Sequence, residues 1–233
     1  MNYHENHEVL GQLGYIPTKP RLINVAHGLE TDMRPLQREQ FPAQPTQAEA
    51  EEAVRTLLRW SGADPEALSL LQTPARVVQA YQVLCAGYKM NPYEILQPTY
   101  TQDTQDNSSQ DIVLLKNIHF ESLCEHHMAP FIGTAHIGYL PNHNIVGISK
   151  LVLLVECYAR RLQLQERLTI EIAQSLQDIL QPKGVAVIVQ AKHHCMKSYD
   201  IHQPHAELIS QHFTGCFQED LRCREELYQL LRN

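Results

Sequence analysis

The stretch VAVIVQAKHHC, residues 185–195, decides the fold of this chain. Its first five residues are apolar and mostly β-branched, which predicts a strand buried in a core. The strand leads directly into His193, His194 and Cys195, whose side chains bind metals or move protons. We therefore expect this strand to deliver a functional site at one end of a sheet.

The elements around this strand indicate an α+β fold. The predicted elements after residue 110 are strands over 112–120 and 133–140, a turn over 141–144, a helix from Ser149 to about Leu162, a helix over 166–180, a strand over 185–189, a last strand over 205–217 and a terminal helix capped by Asp220. In the second helix, leucine or isoleucine recurs at intervals of four, and Pro182-Lys183-Gly184 ends it. This order predicts an antiparallel sheet with helices on one face.

The amino-terminal part of the chain divides in two. Residues 1–45 are rich in Pro, Gln, Asn and His and lack a period, so we expect a flexible arm. Thr46 and Glu49 have the spacing of a capping box at the start of a helix. Thr73-Pro74 predicts the cap and first turn of a second helix, which runs to Gly87. We expect one domain over 46–233, helical over 46–100, with a polar loop over 101–110 and the sheet over 111–233.

Composition excludes several classes of protein. The chain has 233 residues, 43% of them hydrophobic, which is enough for a core in one large domain. Its formal charge of -7 argues against general binding to nucleic acid. Apolar runs stay shorter than the roughly 20 residues that span a bilayer, and the first residues lack a signal pattern. Six cysteines in this length do not indicate a disulfide scaffold, so we expect a cytoplasmic protein with reduced thiols.

A second cluster, Cys124-Glu125-His126-His127, pairs with the first. Two thiolates and an imidazole suit zinc, and three protein ligands leave a fourth position open, as catalytic zinc sites do. The spacing alone leaves open whether His126 or His194 replaces one of Cys124, His127 and Cys195 as a ligand. A spare histidine in each cluster could move protons beside the metal. The residues therefore favour zinc-assisted hydrolysis.

Longer motifs show what this chain is similar to. They are Cys-Glu-His-His at 124–127, His-Ile-Gly-Tyr-Leu-Pro at 136–141, Gly-Ile-Ser-Lys at 147–150, Arg-Arg-Leu-Gln-Leu-Gln-Glu-Arg-Leu-Thr at 160–169, His-x-Cys-Met at 193–196 and, upstream, Thr-Pro-Ala-Arg at 73–76. With them the chain resembles the GTP cyclohydrolase I family over about residues 48–232. The resemblance implies a tunnelling fold, in which the sheets of several copies assemble into an oligomeric β-barrel, and a homodecamer with active sites between subunits.

The resemblance also implies a reaction and a zinc cofactor. The family's ligand set falls on Cys124, His127 and Cys195. His193 matches the general acid/base, and His126 matches the histidine that assists at the ribose side. Such enzymes use zinc-activated water to attack C8 of guanine, release formate and form dihydroneopterin triphosphate.

Further residues match the family's substrate contacts. Glu166 matches the carboxylate that holds the guanine edge, where two parallel N–H bonds would exclude adenine. Gln165 matches its neighbouring partner. Ser149, grouped with the catalytic residues, and Lys150 begin a helix, where N–H groups and an ammonium favour an anion. Glu125 and Arg76 complete the expected substrate-binding set. On sequence alone, Glu166 also fits an ordinary first-turn acid, and Ser149 a plain helix cap.

Three departures from the family's pattern fall where cations normally hold the triphosphate. Typical members have arginine where this chain has Leu153, lysine where it has Gln79, and arginine followed by glycine where it has Tyr199-Asp200. Charged hydrogen bonds contribute about 1.5–3 kcal/mol each, so the three losses would weaken a triphosphate complex by roughly 4–9 kcal/mol. The lysines that could compensate are Lys89, Lys192 and Lys197.

These observations leave three hypotheses. The first, placed ahead by the length of the match, is a GTP cyclohydrolase that supplies pterins for folate or biopterin-like products. The second is a divergent enzyme for a guanine nucleotide or nucleoside with fewer phosphates. The third is a non-catalytic zinc-bound paralogue, against which the intact His126, His193 and Glu166 argue.

Overall fold

The structure is a computed structural model that describes residues 44–101, 111–198 and 203–232. In chain order its elements are α1 (Gln47–Trp60), α2 (Thr73–Leu84), a 3-10 turn (Ala86–Lys89), α3 (Pro92–Ile95), β1 (Tyr100–Thr101), β2 (Val113–Cys124), β3 (Pro130–Leu140), β4 (Asn144–Ile145), α4 (Ile148–Ala159), β5 (Leu162–Gln163), α5 (Gln165–Leu180), β6 (Gly184–His193), α6 (His194–Ser198), β7 (Leu208–Phe213), α7 (Cys216–Glu219) and α8 (Leu221–Arg232). The α+β class predicted from the sequence is confirmed.

Five strands form the main sheet in the order β5-β2-β3-β6-β7. The pairs β2–β3, β3–β6 and β6–β7 are antiparallel, as expected, but β5 pairs parallel with β2. The expectation of a purely antiparallel sheet is therefore wrong, and the sheet is mixed. The parallel pair is only two residues long, because the chain that leaves α4 turns into α5 immediately after Gln163.

The main core lies between the sheet and the helices α4 and α5. Leu168, Ile172 and Leu176 of α5 are fully buried against inward residues of β6 such as Val187. The predicted spacing of four along this helix is confirmed, since residues at i and i+4 share one face. The core therefore begins where the sequence pattern placed it.

Helices cover the other face of the sheet as well, which corrects the expectation of helices on one face. Ala186 of β6 packs with Phe217 and Leu227 of the carboxyl-terminal helices. Small residues admit this helix, because a Cβ added at Gly138 of β3 would lie 2.8 Å from Leu227 Cδ1. A strand covered on both faces reads as a continuous apolar run, which explains the composition of residues 185–189.

Helix starts agree with the sequence in two cases. The capping box of Thr46 and Glu49 is present at α1, and the Thr46 hydroxyl accepts from the Glu49 N–H at 3.3 Å. At α8 the Asp220 carboxylate accepts from the Arg222 N–H at 2.8 Å, so this predicted cap is also confirmed.

Other boundaries differ from the predictions. The N-cap of α2 is Gln72 and that of α4 is Gly147, so Thr73 and Ser149 lie inside the first turns instead of capping them. The fourth helix ends at Ala159, before Leu162, because Leu162 and Gln163 hydrogen-bond with β2. The last strand spans only Leu208–Phe213.

Some expectations fall outside the described residues. The proposed arm over 1–45 lies almost wholly there, and so does the Tyr199-Asp200 departure. The helices within 44–101, 111–198 and 203–232 include none that is both long and apolar enough to cross a bilayer.

Candidate metal centre and active site

The sheet brings the two cysteine-histidine clusters together. Cys124 ends β2, His127 lies in the turn that follows, and Cys195 lies in α6 directly after β6. Because β2 and β6 both run antiparallel to β3, their carboxyl ends lie at the same end of the sheet. The ligand atoms of the three side chains lie within 4.8 Å of one another.

A tight turn presents the first two ligands. The Met128 N–H donates to the Cys124 carbonyl at 2.8 Å, and the Cys124 N–H donates to the Ala129 carbonyl at 2.8 Å. The backbone of Met128 is left-handed, with φ of 53°, which closes the turn. The rings of His126 and His127 meet edge to face, with centroids 6.2 Å apart, and both side chains are exposed.

The donor set fits a transition-metal ion. Two Zn–S bonds of about 2.3 Å at a tetrahedral angle would place the sulfurs about 3.8 Å apart, within the span of this cluster. Burial raises the pKa of the Cys195 thiol, and the neighbouring Cys124 raises it further. Two adjacent thiols disfavour ionisation unless a cation lies between them. The cluster therefore has the donors and the charge deficit that a divalent metal would satisfy.

His193 occupies the last position of β6, beside the donor cluster. Its backbone is in register with Phe131 of β3, and the two rings stack with centroids 4.6 Å apart and planes 6° from parallel. Burial lowers the pKa of His193, the Glu166 carboxylate opposes that shift, and His194 adds to it. Its Nδ1 is buried and has no hydrogen-bond partner among the described residues. The stacked imidazole is thus held neutral and fixed in orientation.

Glu166 and Gln165 open α5 next to this histidine. Glu166 is exposed in the first turn, and it is close enough to His193 to act on the pKa of that imidazole. Gln165 is 1% exposed, and its Nε2 donates to the carbonyls of Val189 at 3.1 Å and Leu208 at 2.9 Å. Within the described chain its Oε1 has no partner. The amide nitrogen of Gln165 therefore joins strands, and only the oxygen remains for a ligand.

The chain is similar in sequence to known proteins over most of its length. A sequence profile described as GTP cyclohydrolase I matches residues 50–232. A protein named GTP cyclohydrolase 1 from Brucella anthropi is 51% identical over 174 residues, which cover 75% of this chain and 80% of the relative. A protein of the same name from Maricaulis maris is 45% identical over 187 residues, or 80% of this chain and 90% of the relative.

The chain belongs to the GTP cyclohydrolase I family. This confirms the resemblance drawn from the motifs. Among solved structures, a crystal structure of archaeosine synthase QueF-Like in the apo form aligns with a TM-score of 0.38 and 23% identity over 46% of this chain and 97% of that chain.

The other residues expected in a GTP cyclohydrolase I site lie on helices and strands of the same chain. Ser149 is exposed and Lys150 half-buried at the start of α4, whereas Arg76 is exposed on α2, which packs mainly against α1. Of the lysines expected to compensate, Lys192 forms an ion pair with Glu207 at 2.9 Å. The roles of these residues at the site stay predictions.

Two neighbours of the site were missed in the sequence. Phe131 supports His193, but only the register of β3 against β6 reveals this. Arg167 forms an ion pair with Glu125, which the sequence had placed among the substrate contacts. An acidic residue inside the first cluster and a basic residue beside Glu166 were the available signal, yet sequence spacing could not show that they meet.

Proposed function

We propose that this chain is a zinc-dependent GTP cyclohydrolase I that opens the imidazole ring of guanine at C8, releases formate and gives 7,8-dihydroneopterin triphosphate. Membership of the family makes it a hydrolase of cyclic amidine C–N bonds. The observation that carries the proposal is the Cys124, His127 and Cys195 donor cluster with His193 at its side.

Cys124, His127 and Cys195 would hold the zinc. Bound there, zinc would supply Lewis acidity, which brings the ionisation of water towards neutral pH. With three protein donors, one coordination position stays open for exchange, as in other catalytic zinc sites. The end of the sheet fixes two of the donors on main-chain hydrogen bonds, so the site needs little rearrangement to form.

His193 would be the general acid/base at the purine. Its lowered pKa keeps the imidazole neutral near pH 7, the form that accepts a proton and can return it. It would protonate the purine nitrogen as the ring opens. The Phe131 stack holds the imidazole plane, and the exposed His126 would assist at the ribose end, where the sugar must open and reclose.

Glu166 would read the guanine edge. Its carboxylate is exposed at the start of α5 and close to His193, so one purine could meet both side chains. A carboxylate accepts the two parallel N–H groups of guanine, which adenine does not offer. Gln165 would contribute through its unpartnered Oε1.

Ser149, Lys150 and Arg76 would bind the phosphate end. These side chains lie on α4 and α2, and the resemblance places the family's active sites between subunits, so a second copy would complete the pocket in a decamer of the family type. Among the described residues β7 is an edge strand of the sheet, and its Ile209 is 61% exposed, so this edge is a suitable place for sheets of neighbouring copies to join.

A second candidate function is supported by one observation on α4. Leu153 stands where typical family members carry an arginine, and it is 38% exposed beside Val152, which is 36% exposed. At position 153 the helix therefore offers apolar surface instead of the cation expected for binding phosphate. Such a surface favours a guanine compound with fewer phosphates than GTP.

A substrate panel separates the candidates. Zinc-loaded protein is given GTP, GMP and guanosine separately, and formate and fluorescent pterin are measured. Turnover of GTP alone supports the first function, and preferred turnover of GMP or guanosine supports the second. Formate from none of the three would leave only the non-catalytic paralogue. His193→Ala should nearly abolish formate release, and unchanged release would remove His193 from its role.

A further inference from the structure

Arg167 makes three contacts beside the donor cluster. Its Nη2 donates to a carboxylate oxygen of Glu125 and to the Leu162 carbonyl at 3.3 Å. Its Nε donates to Oε1 of Gln163 at 3.0 Å. One guanidinium therefore joins the segment of β5 to the residue that directly follows Cys124.

The same two segments also meet through their backbones. The Glu125 N–H donates to the Gln163 carbonyl at 3.0 Å, and Cys124 is in parallel register with Gln163. The turn that carries Cys124 and His127 is thus joined to β5 in two ways. One is the main-chain hydrogen bond from Glu125, and the other is the Arg167 side chain, which contacts the Glu125 carboxylate and β5.

Gln163, which accepts a hydrogen bond from Arg167, is itself held by hydrogen bonds. Gln163 is 2% exposed, and its Nε2 donates to the Tyr158 carbonyl at 3.0 Å and to a Glu171 carboxylate oxygen at 2.7 Å. Since both ends of this amide are engaged, its Oε1 is held in one orientation towards Arg167. A planar guanidinium suits such a place, because its donors lie in a rigid fork.

Arg167 also follows Glu166 directly in the chain. The contact therefore connects the turn that holds two metal donors with the turn of α5 that carries the proposed guanine-binding carboxylate. A shift of either turn would change the distance between the metal and the purine.

We propose that Arg167 is a positioning residue that, through Glu125, holds the Cys124–His127 turn at a fixed place relative to Glu166. This inference rests on the proposed function in assuming zinc at the cluster and guanine at Glu166. It gives Glu125 a different role from the substrate contact expected from the sequence, because its carboxylate is engaged by Arg167.

The Arg167–Glu125 pair should affect the metal site more than the stability of the fold. The side chains are 42% and 31% exposed, and pairs of that exposure add little to global stability. A residue that merely stabilised the fold would change the melting temperature, whereas a positioning residue changes the metal site while the melting temperature of the metal-free protein stays nearly constant.

The experiment uses the full chain with Arg167→Gln, Arg167→Lys and Glu125→Gln. The matched control is Arg59→Gln, which removes an arginine that pairs with Glu52 at 2.7 Å on α1. Zinc affinity is measured by competition with a chromophoric chelator, and the coordination geometry by the visible absorption of the Co²⁺-substituted protein.

Arg167→Gln and Glu125→Gln should each lower zinc affinity about 10–100-fold and alter the Co²⁺ spectrum, as loss of a partner outside the ligand set usually does. Their double variant should lose no more than either single variant, because both remove one contact. Arg167→Lys should recover part of the affinity, since an ammonium reaches Glu125 but not all three acceptors. Arg59→Gln should match the wild type.

Zinc affinity and Co²⁺ spectra within twofold of wild type for both Arg167→Gln and Glu125→Gln would overturn the inference, as would equal changes in Arg59→Gln. If the wild type binds zinc and the variants change zinc affinity as expected, but the wild type releases no formate from GTP, the proposed reaction is refuted and the positioning role remains supported. A wild-type chain that binds no zinc would overturn both.

Discussion

Gln165→Glu tests whether the first turn of α5 is held by a buried amide. The Gln165 Nε2 lies 2.9 Å from the Leu208 carbonyl, 3.1 Å from the Val189 carbonyl and 3.2 Å from Ser210 Oγ. Two of these partners are carbonyl oxygens, which only accept hydrogen bonds, so the nitrogen must face them. A carboxylate of the same shape would point an acceptor at two acceptors.

The expected loss follows from this count. Two hydrogen bonds contribute about 1 kcal/mol each, and leaving their buried acceptors unsatisfied raises the cost, so the free energy of unfolding should fall by about 2–4 kcal/mol. The introduced carboxyl can donate one hydrogen bond only when it is protonated. Burial raises the pKa of this carboxyl, so the loss of unfolding free energy relative to wild type should be smaller at pH 5 than at pH 8.

Urea unfolding followed by circular dichroism measures this difference. Wild type and variant are compared at one protein concentration, since any assembly makes the midpoint concentration-dependent. The control is Gln82→Glu, the same change at an exposed position of α2. A loss in Gln165→Glu that equals the loss in Gln82→Glu, at either pH, would refute the assignment of the buried amide.

Three further perturbations test other parts of the molecule. Gly133→Ala should lower the free energy of unfolding by about 1–3 kcal/mol or more, because the added Cβ would lie 2.0 Å from a carbonyl oxygen of β6. The control Gly147→Ala should cost less, because its Cβ would meet only a side-chain carbon at 3.8 Å. Equal melting temperatures of the two variants would contradict the contact at Gly133. Burial, aided by the neighbouring Cys223 thiol, raises the pKa of Cys216 to about 11. Because the thiolate is the nucleophile, iodoacetamide should label Cys216 at pH 8 roughly two orders of magnitude more slowly than it labels a cysteine peptide, and the rate should rise as the pH approaches 11. Labelling at pH 8 as fast as that of the peptide, measured by mass spectrometry, would refute the shift. Chelator treatment should speed alkylation of Cys124 and Cys195, and added zinc should protect them again; labelling rates indifferent to the metal would exclude these thiols as ligands.

Much of the local structure could be predicted from the sequence. The α5 stripe, the capping box of α1 and the apolar β6 strand depend on spacing over a few residues, and the structure confirms each. Local spacing could not place every boundary. The sequence predicts Ser149 as the cap of α4, but the N-cap is Gly147, and it makes no side-chain cap hydrogen bond.

The metal donors and the residues that support them differ in how far they could be predicted. The sequence by itself determined the ligand types, because cysteine and histidine carry their chemistry wherever they are placed. Only the tertiary structure decided that Phe131 stacks on His193, that Arg167 pairs with Glu125, and that α8 covers the second face of the sheet. These contacts depend on strand register and helix docking between segments far apart in the chain, and side-chain periodicity within one segment is the same for several such arrangements.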